Sequence, residues 1–324
     1  MKICIVGAGA IGGFLGVRLA EAGHEVSLLA RGDHLAAIRA NGAKLIEARG
    51  ETVVRVAASD DPADFGAQDY VVITLKTPSL PAVVPHLHPL FGDATAVVTA
   101  MNGIPWWFCQ QLDGPLQGCQ LNTIDPDGRL AAALPAERII GCVVHAGATV
   151  SDAGVIRHAA GDLFIVGEPS GGATARTIAL SEAITGAGLT GRVTDVIHQE
   201  IWLKLIGNMG MGPISALTKL TLSGIANDPD ARQLAVALID EAIALGKRIG
   251  LHIDMSAEER VDLGAELGDF KPSILQDLEK GRPLEIDALI GVVAEMARLV
   301  DVATPAIDTV LALQRAQARF AGLY

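Results

Sequence analysis

Positive charge is scarce in this sequence. Its 324 residues include 25 lysines and arginines against 37 aspartates and glutamates, so the formal net charge is −12. Nucleic-acid-binding proteins usually carry the opposite bias or a basic patch, and neither is present. A polybasic segment of the kind that attaches proteins to anionic membrane surfaces is also missing. We therefore expect neither nucleic acids nor membranes as partners.

Cysteine is scarce as well. The four cysteines contain no C-x-x-C pair, and no cysteine and histidine cluster has zinc-site spacing. We expect reduced thiols, a cytoplasmic location and no bound metal, with Cys4 as a small core residue. No Ser-His-Asp signature is readable either. The cysteines are Cys4, Cys109, Cys119 and Cys142.

Long hydrophobic runs are absent. No stretch reaches the roughly 18 to 20 apolar residues that a membrane-spanning helix requires. Half of the residues are nevertheless hydrophobic and only 19% are charged, which indicates a folded globular protein. The length is sufficient for two domains, and no internal repeat is evident. Lys2 and the apolar residues after it resemble a secretory signal, but the glycines that follow explain this stretch better.

Glycines with the spacing G-x-G-x-x-G follow an apolar strand predicted at Ile3–Val6. In this setting Gly7 allows a tight turn, Gly9 lets a pyrophosphate approach the backbone, and Gly12 lets the next helix pack close to the strand. The start of that helix offers free N–H groups to phosphates. A second apolar strand at Glu25–Leu29 favours a dinucleotide site over a simple glycine turn. The predicted cofactor-binding residues of this motif are Gly7, Gly9, Ala10, Ile11 and Gly12.

Short strands alternate with helical stretches up to about residue 195, which is typical of a doubly wound, mostly parallel sheet. A hairpin pattern at residues 153–160 indicates an antiparallel edge. We therefore predict an α/β protein with a Rossmann-type domain at residues 1–195 and an all-helical substrate-binding and catalytic domain at residues 196–324. The predicted strands are Ile3–Val6, Glu25–Leu29, Tyr70–Leu75, Ala96–Thr99, Ile139–Ala146 and Leu163–Val166.

Helix signals dominate after residue 196. Asp228-Pro229 is predicted to begin one helix, and Pro283 is well placed as the first residue of another. A final helix is predicted at Pro305–Phe320, whose apolar positions include Leu313 and Phe320. That helix could pack against its own domain or against a second subunit, so a homodimer is a further expectation.

The end of the second predicted strand bears on the choice of nicotinamide cofactor. NAD-binding chains usually carry an acidic residue there for the ribose 2′-hydroxyl. Here Arg31 stands near that position, and a guanidinium can bind a 2′-phosphate with two hydrogen bonds. This favours NADP, although an arginine that merely faces solvent remains an alternative.

Lys204 and Asn208 are four residues apart on a predicted helix, so both project from one face. Because their neighbours are apolar, Lys204 is suited to proton transfer, although a surface lysine is equally compatible with the spacing. Ser273 and Glu285 are further polar candidates. Each has a structural alternative, since serine often caps helices and an acidic residue favours a helix start.

Two polar positions follow predicted parallel strands, where open α/β sheets bind their ligands. Lys76 comes after Tyr70–Leu75, and Asn102-Gly103 comes after Ala96–Thr99. For the Asn-Gly pair, a simple turn is the alternative.

In order and spacing, these segments resemble the ketopantoate reductase (2-dehydropantoate 2-reductase) family over essentially the whole chain. The resemblance implies NADPH-dependent reduction of 2-dehydropantoate to (R)-pantoate in pantothenate biosynthesis. It implies Lys204 as the general acid and Glu285 as the carboxylate that holds the lysine and the substrate. The other implied roles are substrate binding for Asn208, Ser273 and Asn102, contact with the 2′-phosphate for Arg31, and positions near the nicotinamide for Lys76 and Asn102.

The sequence departs from the family at two positions. Glycine replaces an asparagine that the family often has at position 212, and Ile290-Gly291 stands where the family often has Asn-Gly. Both changes remove polar side chains from the expected pocket, so a different 2-oxo acid is an alternative substrate. A non-enzymatic NADP-binding redox sensor is a further alternative. The aromatic run at residues 106–108 could shape the pocket or belong to the core.

Overall fold

The computed structural model describes residues 1–324, and the chain divides into two compact units. The first unit comprises Met1–Met101 and Arg129–Ile197, and the second comprises Asn102–Gly128 and His198–Tyr324. The sequence patterns assigned residues 102–128 to the first of two contiguous domains, whereas their contacts group them with the second unit. A domain boundary at residues 195 and 196 stays a prediction.

The first unit contains a sheet of ten strands. Their bounds are β1 (Lys2–Val6), β2 (Glu25–Leu29), β3 (Ala43–Glu47), β4 (Gly50–Val54), β5 (Ala57–Ser59), β6 (Gln68–Ile73), β7 (Phe91–Thr99), β8 (Ile139–Asp152), β9 (Val155–Gly167) and β10 (Thr190–Val193).

The strands lie in the order β4-β3-β9-β8-β7-β6-β1-β2-β5, and β10 pairs with β9. The run from β8 through β7, β6, β1 and β2 to β5 is parallel throughout. The β8–β9 and β3–β4 pairs are antiparallel. The predicted doubly wound sheet and the predicted hairpin at residues 153–160 are therefore confirmed.

Four strands were missed by the sequence analysis, namely β3, β4, β5 and β10. β5 has only three residues, and residues alternate between exposed and partly buried along β10. The β3–β4 hairpin turns at Ala48-Arg49, and β4 forms one end of the sheet with no fully buried residue. Short, half-exposed strands lack the continuous apolar run by which buried strands are recognised.

Five α-helices belong to the first unit, besides short 3₁₀ turns. Small residues let α1 lie close to the sheet, because a Cβ atom at Gly13 would be 2.6 Å from the Ile156 side chain and one at Gly16 would be 2.8 Å from Leu28. Cys4 is fully buried in β1, as predicted, and burial raises the pKa of its thiol to about 12. The helices are α1 (Ala10–Glu21), α2 (Gly32–Asn41), α3 (Leu80–Val83), α4 (Arg129–Ala133) and α5 (Ala175–Gly186).

From Ile197 onward the regular structure is helical, as predicted. A π-helical turn at Asp287–Gly291 precedes α11. No helix of the protein is both long and apolar enough to cross a membrane. The helices are α6 (Ile197–Thr218), α7 (Leu222–Asn227), α8 (Pro229–Arg248), α9 (Ala257–Ala265), α10 (Ser273–Glu279), α11 (Val292–Leu299) and α12 (Pro305–Phe320).

The predicted helix boundaries hold at two places and fail at one. Asp228 caps α8 by accepting a hydrogen bond from the Ala231 N–H at 2.8 Å, and α12 has the predicted bounds. Pro283 is not the start of a helix, because helical backbone begins only at Ile286. The Leu284 N–H instead donates to the Leu323 carbonyl at 3.2 Å, which ties this segment to the C-terminal residues.

The aromatic run at residues 106–108 lies in the core of the second unit. Trp106, Trp107 and Phe108 are at most 2% exposed. The rings of Trp107 and Phe108 meet the His198 ring edge-on, at centroid distances of 5.6 and 5.0 Å. Of the two alternatives for these residues, the structure supports core packing.

Candidate active site

The glycine turn of the first unit has the shape that the motif predicts. Gly7 has a φ of +98°, which favours glycine, and a Cβ atom there would be 2.6 Å from the Leu75 side chain. Its carbonyl accepts a hydrogen bond from the Thr74 hydroxyl at 2.6 Å, and its N–H donates to Leu29 at 3.1 Å. The turn is therefore fixed to the ends of β2 and β6.

The next two glycines differ in their surroundings. A Cβ atom at Gly9 would meet no atom within 4 Å, whereas one at Gly12 would overlap the Gly7 carbonyl and the Thr74 hydroxyl. Gly9 is the N-cap of α1, and no side chain caps the helix whose first residues are Ala10 and Ile11. The open space at Gly9 and the uncapped N–H groups of α1 suit a phosphate. Gly12 allows α1 to pack closely against the Gly7 carbonyl and Thr74.

A cavity of about 1040 Å³ opens beside this turn within the first unit. Gly7, Gly9 and Arg31 line it, and Arg31 is exposed at the N-cap position of α2. Asp60 and Asp61, directly after β5, line the same cavity. Its size and its mixture of backbone, cationic and acidic groups fit a dinucleotide.

His34 supports the turn in a way that the sequence analysis missed. Its Nδ1 accepts a hydrogen bond from the Gly154 N–H at 3.0 Å, so the ring carries its proton on Nε2, which lies 2.7 Å from the Ala8 carbonyl. His34 thus joins the turn to the β8–β9 hairpin. Both contacts are long-range, so no local pattern could have indicated them.

Lys76 also belongs to the first unit. The strand before it ends at Ile73 rather than at Leu75 as predicted, and Lys76 forms the N-cap of a short helical turn at Thr77–Ser79. The residue is partly buried. It lies after the carboxyl end of a parallel strand, as the sequence indicates.

The second unit contains the central polar contact of the site. Lys204 on α6 donates a hydrogen bond from Nζ to Oδ1 of Asn102 at 2.8 Å. Asn102 is held in place by Gly103, which has a φ of +79° and lies so close to Ala288 that a Cβ atom would overlap the Ala288 carbonyl. The Ile104 N–H donates to that same carbonyl at 3.0 Å. The Asn-Gly turn therefore positions a partner for the lysine.

The other predicted substrate residues also lie in the second unit. Asn208 is partly buried one turn beyond Lys204 on α6, and Glu285 is partly buried just before the helical backbone at Ile286. Ser273 is exposed as the first residue of α10, where Pro272 is the N-cap and no side chain caps the helix. The structural alternative of Ser273 as a helix cap is therefore wrong.

The two positions at which the sequence departs from the family, Gly212 and Ile290, lie in apolar surroundings. A Cβ atom at Gly212 would be 3.2 Å from the Ile274 side chain, and Ile290 is fully buried. A larger residue at position 212 would require Ile274 to move. This part of α6 therefore faces an apolar neighbour next to Ser273.

Comparisons with known proteins agree with these features. The family model "Ketopantoate reductase PanE/ApbA" matches residues 3–105, and its "C terminal" counterpart matches residues 196–318. A curated 2-dehydropantoate 2-reductase of Mesorhizobium japonicum is 47% identical over 100% of both chains. One of Halobacterium salinarum is 26% identical over 97% of this chain and 98% of its own.

The fold is also found in solved structures. A putative ketopantoate reductase from Ralstonia solanacearum superposes with a TM-score of 0.96 at 45% identity, covering 100% of this chain and 99% of the other. The fold and the glycine turn define an oxidoreductase that uses a nicotinamide cofactor and acts on a carbonyl or alcohol group. The chain belongs to the ketopantoate reductase family. This assignment favours an enzyme over the redox-sensor alternative.

Proposed function

We propose that the protein reduces the ketone of 2-dehydropantoate to (R)-pantoate with NADPH, as a step of pantothenate biosynthesis. The observation that carries this proposal is the 2.8 Å hydrogen bond between Lys204 and Asn102, which fixes an ammonium group in the second unit. The relative from Mesorhizobium japonicum, with 47% identity, supports the same substrate.

The proposed chemistry assigns the proton to Lys204. Bound NADPH would supply the hydride to the ketone carbon. As negative charge develops on the ketone oxygen, the Lys204 ammonium stabilises it and then transfers a proton to give the alcohol. Asn102 accepts one N–H of the ammonium and so helps to hold it in place. The resulting amine regains its proton from solvent.

Three further side chains complete the proposed substrate site. The carboxylate of Glu285 would keep Lys204 protonated and bind a hydroxyl group of the substrate. Asn208 and Ser273 would form hydrogen bonds with its polar groups. Two observations support these roles. All three residues belong to the same unit as Lys204, and Ser273 is exposed at the start of α10, where its side chain does not cap the helix.

The choice of NADPH over NADH rests on Arg31. The glycine turn, with Gly7, Gly9, Ala10, Ile11 and Gly12, would bind the pyrophosphate, and Arg31 the 2′-phosphate. Lys76 and Asn102 would lie near the nicotinamide. The exposed position of Arg31 on the same cavity as the turn supports this assignment.

The cofactor assignment is tested with Arg31→Met. We expect the dissociation constant for NADPH to rise about 10- to 100-fold, because a charge-assisted pair is lost, while that for NADH stays unchanged. Arg55→Met, on the same unit but away from the cavity, is the control. An equal loss of affinity for both cofactors would contradict a contact with the 2′-phosphate.

A different 2-oxo acid is the second candidate substrate. The Ile274 side chain, which a Cβ atom at Gly212 would meet, favours it, because the family's asparagine would have supplied a hydrogen bond there. A less polar side chain on the substrate would suit this pocket wall better than the hydroxymethyl group of 2-dehydropantoate.

Oxidation of NADPH at 340 nm by the purified protein distinguishes the two candidates. We expect kcat/KM of about 10⁴ M⁻¹ s⁻¹ or above with 2-dehydropantoate. A panel containing 2-oxoisovalerate, 4-methyl-2-oxopentanoate and phenylpyruvate is measured in parallel. Preference for one of these would favour the second candidate, and turnover of none of them would reject both.

A homodimer and a cytoplasmic location are further parts of the proposal. Leu313 and Phe320, seven residues apart on α12, are 53% and 98% exposed, which supports an apolar contact with a second copy. Light scattering should then give twice the chain mass of 33.6 kDa. A mass of one chain at micromolar concentration would contradict the dimer.

A further inference from the structure

Arg260 on α9 is a partly buried cation without a partner. It forms no ion pair and no side-chain hydrogen bond, and burial lowers the pKa of its guanidinium. Other arginines with reduced exposure are paired, since the buried Arg18 contacts Glu47 at 2.9 Å and the partly buried Arg315 contacts Asp287 at 2.6 Å. A guanidinium that has lost part of its hydration without gaining an anion indicates a site for an anionic ligand.

The guanidinium of Arg260 lies against the backbone of α6. A Cβ atom at Gly207 would overlap two of its nitrogens and its central carbon, so only glycine leaves room for it. One turn further along, a Cβ atom at Gly264 would be 2.5 Å from the Met211 sulfur. The helices therefore lie side by side, with Arg260 opposite Gly207 and Gly264 opposite Met211.

This position is close to the proposed proton donor. Gly207 follows Lys204 by three residues and precedes Asn208 directly. Side chains three apart on a helix have Cβ atoms about 5 to 6 Å apart, so the guanidinium lies within one helical turn of the lysine. A 2-oxo acid carries its carboxylate on the carbon next to the ketone. Two cations, Lys204 on α6 and Arg260 of α9 against the next turn of α6, match these two groups.

We propose that Arg260 binds the C1 carboxylate of the 2-oxo acid while Lys204 acts on the ketone oxygen. This inference rests on the proposed function and adds to it a residue that determines the substrate class. The planar guanidinium can give the carboxylate two parallel hydrogen bonds, which fixes the direction of the ketone as well as the affinity. Gly207 is then required because it makes room for this group.

The test compares a 2-oxo acid with its neutral methyl ester, for wild type and Arg260→Met. For the acid, we expect KM of the variant to rise about 10- to 100-fold, because a hydrogen-bonded charge pair is lost. For the ester, which has no carboxylate, KM should hardly differ between the two proteins. A structural role would affect acid and ester equally, and that result would overturn the proposal.

Two more variants keep the test valid if Arg260→Met folds poorly. Gly207→Ala retains the charge but displaces the guanidinium, so it should reproduce the selective loss of affinity for the acid. Arg260→Lys retains a point charge and should therefore keep part of the affinity for the acid that Arg260→Met loses. Unchanged acid-to-ester ratios in both would also overturn the proposal.

A matched control is available on the neighbouring helix. Arg232 forms an ion pair with Asp262 at 2.8 Å, and Arg232→Met should leave both values of KM unchanged. The dissociation constant for NADPH should stay the same in all variants. If wild type reduces no 2-oxo acid at all, the proposed function fails. If it reduces the acid and Arg260→Met keeps the same acid-to-ester ratio, only the role of Arg260 fails.

Discussion

The two units build their candidate sites from different parts of the chain. In the first unit the glycine turn that we propose to bind the cofactor phosphates consists of backbone, held by the Thr74 hydroxyl and the His34 ring. In the second unit the central contact is between two side chains, Lys204 and Asn102. A backbone site is disturbed mainly by adding atoms, whereas a side-chain site is disturbed by removing them. Substitutions that add atoms to the glycine turn should therefore affect cofactor binding, whereas substitutions that remove the Lys204 or Asn102 side chain should affect the chemical step.

Lys204→Ala should have the largest effect. Loss of the general acid should lower kcat about 10²- to 10⁴-fold, while the dissociation constant for NADPH hardly changes. Steady-state kinetics and a cofactor titration measure the two quantities. Lys247→Ala, at an exposed lysine of α8, is the control. A comparable loss of NADPH affinity in Lys204→Ala would contradict the proton-donor role.

Gly103→Ala should affect the same step without touching the lysine. The added Cβ would overlap the Ala288 carbonyl and move Asn102, so kcat should fall by about 10²-fold. Gly118→Ala is a matched control, because Gly118 also has a positive φ, of +72°, but its Cβ would meet open space. Equal kcat values for the two variants would show that Asn102 does not position Lys204.

Gly9→Ala and Gly12→Ala distinguish binding from packing in the first unit. A Cβ atom at Gly9 enters open space, so this variant should keep its thermal stability and lose affinity for NADPH. A Cβ atom at Gly12 meets backbone, so that variant should lose about 1 to 3 kcal/mol of stability. Calorimetry and cofactor titration measure both. The comparison fails if Gly9→Ala is the less stable of the two.

The smallest effect concerns His198 in the second unit. Burial against Trp107 and Phe108 lowers its pKa from 6.5 to about 4, although a hydrogen bond with the Phe108 backbone and the charge of Asp113 partly oppose this. Because the unfolded chain binds the proton more readily, the stability of the fold should fall as the pH decreases from about 6.5 to 4.

The magnitude should be about 1 to 2 kcal/mol, less than the full shift would give because buried groups relax on protonation. Thermal unfolding across this pH range measures it. In His198→Gln, which has no titrating ring, this part of the pH dependence should be absent. If wild type and variant show parallel curves, His198 is not the group responsible.

The local patterns predicted most of the fold, whereas the roles of the proposed site residues stay a prediction. The glycine spacing, the strand periodicity and the Asp228-Pro229 start signal each depend on neighbours in the chain. The structure confirms the turn after β1, six of the ten strands and the start of α8. The Lys204–Asn102 contact joins residues 102 positions apart, so its pairing was not predictable from spacing. The same holds for His34 and Gly154. The helix start predicted at Pro283 was wrong, because the long-range hydrogen bond from the Leu284 N–H outweighs the local preference of proline for a helix start.

The location of residues 102–128 has a spectroscopic consequence. The three tryptophans of the protein, Trp106, Trp107 and Trp202, all belong to the second unit and are at most 2% exposed. Tryptophan emission therefore reports the helical unit alone and is insensitive to the sheet. A red shift of that emission during denaturation should mark the opening of the aromatic core, whereas the first unit must be followed through another signal, such as the absorbance of Tyr70.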